Sequence, residues 1–271
     1  HMASVASTDL VLYTSKIMPS GDTQVSGGQI EDVLKSRVVF STAQIGATAV
    51  KLQVSSSGTT DLGRLVHVIG RSQAGAIIED RVAISGTANT WIVSSSAFER
   101  VLKAQIELSA GSAQSSAVNL VTLREVTGST IISSIVAGES AFQLLFYDAA
   151  SLTTGSADRY EKIYAKNINT TNSLTNATIA CTASGIGGVI GWGYASGSAQ
   201  STTNRLTAPP SVTFTSDDLT AKAVTAVTTE VTTAGVLGPL EYAPIWIRQK
   251  LLTNNAALKD TFTLTIVGTS T

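Results

Sequence analysis

Charged residues are scarce in this chain. Only 14% of its 271 residues are Asp, Glu, Lys or Arg, against about 25% in an average soluble domain. The 18 basic and 19 acidic residues nearly balance, and no segment forms a basic stripe. Binding to nucleic acid depends on attraction to phosphates, so we expect no nucleic-acid partner.

Cysteine and histidine are rarer still, with one Cys and two His. A single cysteine, Cys181, excludes an intramolecular disulfide framework and any cysteine-based zinc site. Ala177, Ile179 and Cys181 alternate on one face of a predicted strand, which indicates a buried structural thiol. The opening His1–Ser4 is typical of a vector remnant left after tag removal, so His1 is excluded from any chemical interpretation.

Long apolar runs are also missing. The longest uncharged stretch, residues 167–204, is rich in Thr, Ser, Asn and Gly, whereas a membrane span needs about 20 mostly apolar residues. No basic and apolar leader opens the chain, so we expect no signal peptide and no membrane partner. Hydrophobic residues at 43% and a mean hydropathy of +0.23 exclude intrinsic disorder.

Short alternating segments separated by turns make up most of the chain, and Ser and Thr supply about a quarter of its residues. This spacing is typical of sandwiches and barrels. We therefore predict an all-β fold of two β-sandwich domains, immunoglobulin-like or jelly-roll-like, with few short helices. The predicted strands are 9–13, 37–41, 49–55, 64–69, 76–84, 119–124, 130–136, 142–147, 161–167, 176–182, 211–215, 243–248 and 261–266.

Two segments fit more than one structure. Ser96 and Glu99 have the spacing of a helix capping box, and the apolar residues that follow fit a helical stripe. The same stretch also alternates through Ile106, and the β context favours a strand. Residues 28–34 form either one short helix or a loop.

The domain boundary falls in the middle of the chain. We predict a first β domain over residues 5–126 and a linker or crossover strand over 127–139. The second domain, an immunoglobulin-like sandwich, follows over 140–271.

Candidate chemical groups have simpler structural interpretations. His67 lies in an apolar strand with no Cys or Asp at the spacing of a triad. The acidic pairs Glu31–Asp32, Glu79–Asp80 and Asp217–Asp218 place their side chains on opposite sides of an extended backbone, which suits turns and edges. We therefore expect no enzymatic activity, no cofactor and no metal.

The glycine-rich run 185–193 has the spacing Gly-x-Gly-Gly-x-x-Gly, which misses both the dinucleotide fingerprint and the phosphate loop. We predict an apolar surface loop that packs against a partner subunit. Trp192 and Tyr194 are then candidate interface residues, because aromatic side chains concentrate binding energy. The alternative for the same two residues is a platform on which a sugar stacks.

A second candidate interface lies near the C-terminal end. Pro244 restricts its strand to an edge or to a first-residue position. Alternation places Ile245 and Ile247 toward the core, and Trp246 and Arg248 on the other face. Either that face is part of a packed edge strand, or it docks on another subunit.

Several segments together resemble known viral proteins. Those of the first half are similar to virion structural proteins of tailed bacteriophages, and those of the second half to an immunoglobulin-like module of phage head, neck and tail proteins. They are Asp9–Tyr13, Gly27–Gly28, Gly70–Gly75, Ser96–Leu102, Arg159–Asn167, Leu174–Ala177 and Gly235–Arg248.

The resemblance implies a non-enzymatic component of the virion, made in the host bacterial cytoplasm. One function is an accessory capsid protein, cement or decoration, that buries surface against the major capsid protein. The alternative is a neck, tail or receptor-binding component. Either role implies other virion subunits as partners, and symmetric interfaces imply a homo-oligomer, a dimer or a trimer.

Overall fold

A computed structural model describes residues 4–15, 35–39, 48–145, 157–184, 188–194, 215–216, 222–223, 225–228, 231–251 and 261–271. Side chains are described for 4–15, 35–39, 48–145, 158–178, 235–249 and 264–271. Among the described residues the regular elements are all β-strands except one 3-10 turn at Ser7–Asp9, so the all-β prediction is confirmed.

The strands follow one another closely along the chain. They are β1 Leu10–Thr14, β2 Ser36–Val38, β3 Val50–Ser56, β4 Leu65–Arg71, β5 Ile77–Ala83, β6 Ile92–Phe98, β7 Arg100–Glu107, β8 Gln114–Ser115, β9 Val121–Glu125, β10 Ile131–Ile135, β11 Ala141–Gln143, β12 Ala157–Asn167, β13 Leu174–Ser184, β14 Gly188–Tyr194, β15 Thr215–Ser216, β16 Lys222–Ala223, β17 Thr225–Thr228, β18 Val231–Ala234, β19 Val236–Leu237, β20 Tyr242–Leu251 and β21 Thr261–Ser270.

The chain divides into two compact units, one of residues 32–147 and one of residues 1–31 with 148–271. The predicted division places the N-terminal strand in the first domain and a linker or crossover strand at 127–139. Instead β1 pairs with β12 over Leu10–Thr14 and belongs to the other unit. Residues 127–139 contain β10, which pairs with β9, so of the two alternatives for this segment the structure has a strand, at the position of the predicted strand 130–136.

The unit of residues 32–147 is a sandwich. One layer is an antiparallel sheet in the order β10-β9-β3-β6. The other contains β5-β4-β7, with β8 and β11 on the far side of β7 and β2 parallel to β11. Both inner faces contribute to one core, whose buried members include Val54, Leu123, Val68, Ile106 and Phe142. Alternation along each strand supplies these inward side chains.

The segment that fits either a helix or a strand contains the last residues of β6 and all of β7, so the strand prediction is confirmed for β7. β4 and β7 shift register between Ile69 and Gly70. Leu102 is the extra residue of β7 at this bulge, and both Val101 and Leu102 are buried. Two adjacent buried residues break the alternation, which is why the sequence also matched a helical stripe.

The other unit is built around long antiparallel strands. β12 pairs with β1 on one side and with β20 on the other, and β20 continues to β14. β13 pairs with β21 along nearly its whole length. Buried side chains from β12 and β20 form the centre, among them Ile163, Tyr164, Ile245 and Ile247. The immunoglobulin-like assignment of 140–271 stays a prediction. Residues 28–34, for which a helix or loop was predicted, lie outside the described part.

Candidate functional site: interaction surfaces

Trp246 and Arg248 lie in the middle of β20, between β12 and β14. On one side Trp246 is opposite Lys162 and Arg248 is opposite Tyr160. On the other side Trp246 is opposite Gly193. Directly opposed residues share a face of the sheet, so Trp246 shares its face with a lysine and with a glycine that has no side chain.

The Trp246 side chain is completely buried. Of the two alternatives for this face, docking on another subunit is contradicted at Trp246 by this burial, and a packed edge strand is contradicted because β20 pairs with both β12 and β14. Ile245 and Ile247, on the opposite face, are also completely buried. The Trp246 indole N–H has no acceptor among the described residues. Arg248 is half-buried, and its interface role stays a prediction.

Lys162 is the most unusual group on this face. Its side chain is completely buried, and its Nζ lies 5.4 Å from the Trp246 ring centre and 5.3 Å from that of Tyr164. Burial lowers the pKa of Lys162 from 10.5 to about 7, since desolvation disfavours the charged form. The two rings provide a weak attraction to the cation. The cluster forms part of the interior and is not an open binding site.

Trp192 and Tyr194 lie on β14, which pairs with β20 from Gly188 to Tyr194. The prediction of a surface loop is wrong for residues 188–193, since this stretch is an inner strand of the ladder that also pairs with β15. Val, Ile, Trp and Tyr favour strands strongly enough to outweigh the intervening glycines. The side chains of Trp192 and Tyr194 lie outside the described part, so their interface and sugar-stacking roles stay predictions.

His67 is held between two carboxylates. It lies on β4 between the core residues Val66 and Val68, so its ring points to the other face of the sheet. Nδ1 is 2.7 Å from Glu107 Oε1, and Nε2 is 2.9 Å from Glu79 Oε2. Only the doubly protonated ring donates to both carboxylates.

Glu107 is the buried end of this network. It accepts hydrogen bonds from Arg81 Nε at 2.9 Å, Gln105 Nε2 at 3.1 Å and the Gly111 N–H at 3.2 Å. Burial by itself would raise the pKa of Glu107, but these three donors and the charge of His67 outweigh it and hold the pKa below its usual value. The network ties β4, β5 and β7 together and includes no Ser, Thr or Cys nucleophile.

The acidic pair Glu79–Asp80 points in opposite directions, as predicted. Glu79 contacts His67, whereas Asp80 accepts hydrogen bonds from Ser95 Oγ at 2.9 Å and from the Ser96 N–H at 2.7 Å. Burial opposes ionisation of Asp80, but the hydrogen bonds prevail and lower its pKa. The pairs Glu31–Asp32 and Asp217–Asp218 lie outside the described residues.

Asp61, which the sequence did not single out, organises one end of the sandwich. Its carboxylate is completely buried and accepts the backbone N–H groups of Val118 and Asn119, both at 2.9 Å. Arg64 Nη1 lies 3.2 Å from the same carboxylate and also donates to the Ser116 carbonyl. Loops 57–64 and 116–120 are thereby fixed to each other.

The two loops fixed by Asp61 present an exposed apolar surface, which we call the apolar tip and define as Leu62, Val118 and Leu120. These side chains are 61%, 45% and 43% exposed. The Ser57 N–H donates to the Leu120 carbonyl at 2.9 Å, which joins the loops a second time. Apolar side chains that are exposed together on one surface, and not singly, are a feature of interaction sites. Periodicity could not reveal them, because they lie in loops.

A second exposed feature crosses the outer face of the four-stranded sheet. Val93, Gln53, Arg124 and Ile131 are successive neighbours across β6, β3, β9 and β10. The Arg124 guanidinium stacks 3.6 Å from the ring centre of Trp91, and its Nε donates to Gln53 Oε1 at 2.9 Å. Partly exposed Trp side chains are enriched at interfaces, because one end of the ring is apolar and the other polar.

Among the described residues, no three His, Cys, Asp or Glu side chains are grouped to hold a metal ion. No helix within the described part is long and apolar enough to cross a membrane. The side chain of Cys181 lies outside the described part.

No protein-family model matches the chain, and a search of curated protein sequences finds no significant match. Among solved structures, manganese lipoxygenase of Gaeumannomyces graminis with partial zonadhesin of Komagataella pastoris aligns at 9% identity and a TM-score of 0.17, over 95% of this chain and 94% of that one. The structure of the Gt strain of infectious bursal disease virus aligns at 10% identity with a TM-score of 0.15, and that of the VP2 subviral particle of the same virus at 13% identity with a TM-score of 0.15. Each of these alignments covers 99% of this chain and 68% of the other chain. Alignments at these TM-scores do not establish a shared fold, and the fold described above stands on its own.

Proposed function

We propose that the chain is a non-enzymatic structural component of a tailed-phage virion, most specifically an accessory capsid protein of the cement or decoration type. The observation that carries the proposal is the apolar tip: three exposed apolar side chains on loops that a buried carboxylate fixes in place. A surface fixed before binding loses little conformational entropy when a partner covers it.

The composition supports the same function. Solubility normally relies on charge, yet only 14% of this chain is charged. A protein whose surface is partly covered by neighbouring subunits needs less charge than a free monomer. The partner under this proposal is the major capsid protein, the site of action is the virion, and the contribution is burial of surface between capsid subunits.

The test is cosedimentation of the purified chain with mature and with empty capsids of its own phage, after light scattering has given its mass in solution. We expect saturable binding at a fixed ratio to capsid subunits. The double variant Leu62→Ser with Leu120→Ser should weaken it at least tenfold. The matched control, Ile77→Ser with Ile131→Ser, replaces equally exposed apolar residues outside the tip and should bind normally.

Absence of wild-type binding to either capsid would overturn the cement function. The alternative is then a neck, tail or receptor-binding component. One observation favours it: the half-exposed Trp91 ring with Arg124 and Gln53 on an open sheet face. Trp91→Ala would then reduce binding to host cells or to isolated host glycans, whereas the Leu62 and Leu120 variant would not.

A further inference from the structure

β21 is an edge strand without the usual protection. Within the described part it pairs on one side only, with β13. Its ten residues, Thr261–Ser270, include no charged residue and no proline. Natural edge strands are usually protected by lysine, proline or a bulge, because their open backbone groups can pair with another chain. The bulge in this ladder, between Thr175 and Thr178, is on β13 and leaves β21 regular.

The hydrogen bonds at the end of the β13–β21 ladder show which backbone N–H and C=O groups of β21 point away from β13. Ser173 and Thr271 exchange two hydrogen bonds, at 3.0 and 2.9 Å, so the backbone of Thr271 faces β13. Bonding direction alternates along an antiparallel strand. On β21 the residues that aim N–H and C=O away from β13 are therefore Phe262, Leu264, Ile266, Gly268 and Ser270. The open edge ends at Ser270, whose Oγ already accepts the Val5 N–H at 2.5 Å.

The edge of β5 shows how this chain protects a strand elsewhere. There the Asp80 carboxylate accepts the N–H of Arg81 at 2.8 Å and that of Ser96 at 2.7 Å. The carboxylate thereby joins this edge of β5 to β6, so the edge is covered from within the same chain. No charged group plays this part within β21.

We propose that β21 pairs antiparallel with β21 of a second copy of this chain, about a twofold axis at Val267. Outward-facing Ile266 then exchanges hydrogen bonds with Gly268 of the second copy. Val267 faces its own equivalent in a non-hydrogen-bonded position, where Cα atoms are about 4.5 Å apart. Thr265 lies opposite Thr269, a favourable cross-strand pair.

Two observations favour a second copy of this chain as the partner that pairs with the edge of β21. A strand without charge experiences no like-charge repulsion when it pairs with itself, whereas like charges directly opposite each other destabilise a sheet. Val267 is 57% exposed, and pairing about the twofold axis covers this apolar side chain with its own equivalent. The dimer does not depend on the capsid function, since it uses neither loop of the apolar tip.

The first test is sedimentation velocity of the full chain over a concentration series. We expect the wild type to reach a dimer and Val267→Lys to weaken dimerisation at least tenfold, because two lysines would face each other. Val93→Lys, at an exposed valine on β6, is the matched control and should dimerise normally. Circular dichroism melts of both variants should match the wild type, since both positions are exposed.

The second test fixes the register. Under oxidising conditions Val267→Cys should form a covalent dimer, whereas Val93→Cys, with the same native Cys181, should not. A monomeric wild type, or a dimer that Val267→Lys leaves intact, overturns the proposal. Dissociation by Val267→Lys without cross-linking of Val267→Cys overturns the register about Val267.

Discussion

A completely buried amine such as Lys162 makes stability depend on pH. The pKa of Lys162 is about 7 in the folded chain and 10.5 when the group is unperturbed. Between these two values the unfolded chain binds a proton that the folded chain does not, so the free energy of unfolding rises with pH. Below about pH 7 both states are protonated, and the folded chain retains a buried charge.

Lys162→Met should therefore stabilise the protein most at and below neutral pH. Each unit of pKa difference corresponds to about 1.4 kcal/mol, so we expect a gain of several kcal/mol at pH 6 that shrinks toward pH 10. Urea unfolding at a series of pH values measures it. Lys51→Met, at an exposed lysine, should keep the pH dependence of the wild type, and a variant at 162 that also keeps it would contradict the account.

Single residues also show what alternation along the sequence can predict and what it cannot. Alternation correctly placed Ile245 and Ile247 in the core and put Trp246 on the other face. It could not show that the other face is buried too, because burial there depends on residues distant in the chain. The sequence around Asp61 does not reveal its role for a related reason. A carboxylate in a turn has the same local sequence pattern whether its side chain is exposed or is hydrogen-bonded to a second loop.

Among the elements, β4 depends on a glycine at a close approach. A Cβ on Gly70 would collide with the Arg100 carbonyl oxygen and lie 2.5 Å from Phe98 Cδ1. Because neither a backbone carbonyl nor a buried ring can move freely, Gly70→Ala should cost about 3 kcal/mol of unfolding free energy.

The matched control for this prediction is Gly75→Ala, in the turn that follows β4. Gly75 has a φ of +81° but open space around a Cβ, so its substitution should cost only about 1 kcal/mol, the penalty of left-handed backbone. Urea midpoints of the two variants give the comparison. Equal losses would show that packing at Gly70 is looser than the structure indicates.

Most strands could be predicted from period-2 alternation, as at β3, β4, β9 and β21. The failures have physical causes. The glycines of β14 dominate its composition and predict a loop, although Val, Ile, Trp and Tyr fill the intervening positions. The run of serines in β6 gives no apolar stripe and so predicts no strand. The buried Ser94 instead stabilises the sheet through hydrogen bonds, donating to the Ser96 carbonyl and accepting the Leu52 N–H.

At the scale of the whole chain, the all-β class follows from composition and turn spacing, but the division into units does not. β1 joins β12 across more than 140 residues of sequence, and no local pattern encodes that pairing. The same limit applies to residues 127–139: alternation predicts the strand at 130–136, but it does not show that the partner of Ile131–Ile135 is β9, in a sheet with β3 and β6. Long-range pairing is set by the packing of the whole core.

The functional account depends on whether the apolar tip is the surface that meets the capsid. Hydroxyl-radical footprinting of the chain, free and bound to capsids, with mass spectrometry of the oxidised side chains, tests this most directly. The account predicts that Leu62, Val118 and Leu120 are oxidised in the free protein and protected on the particle, while Ile131 is oxidised in both. Equal oxidation of the three tip residues in free and bound protein would contradict it.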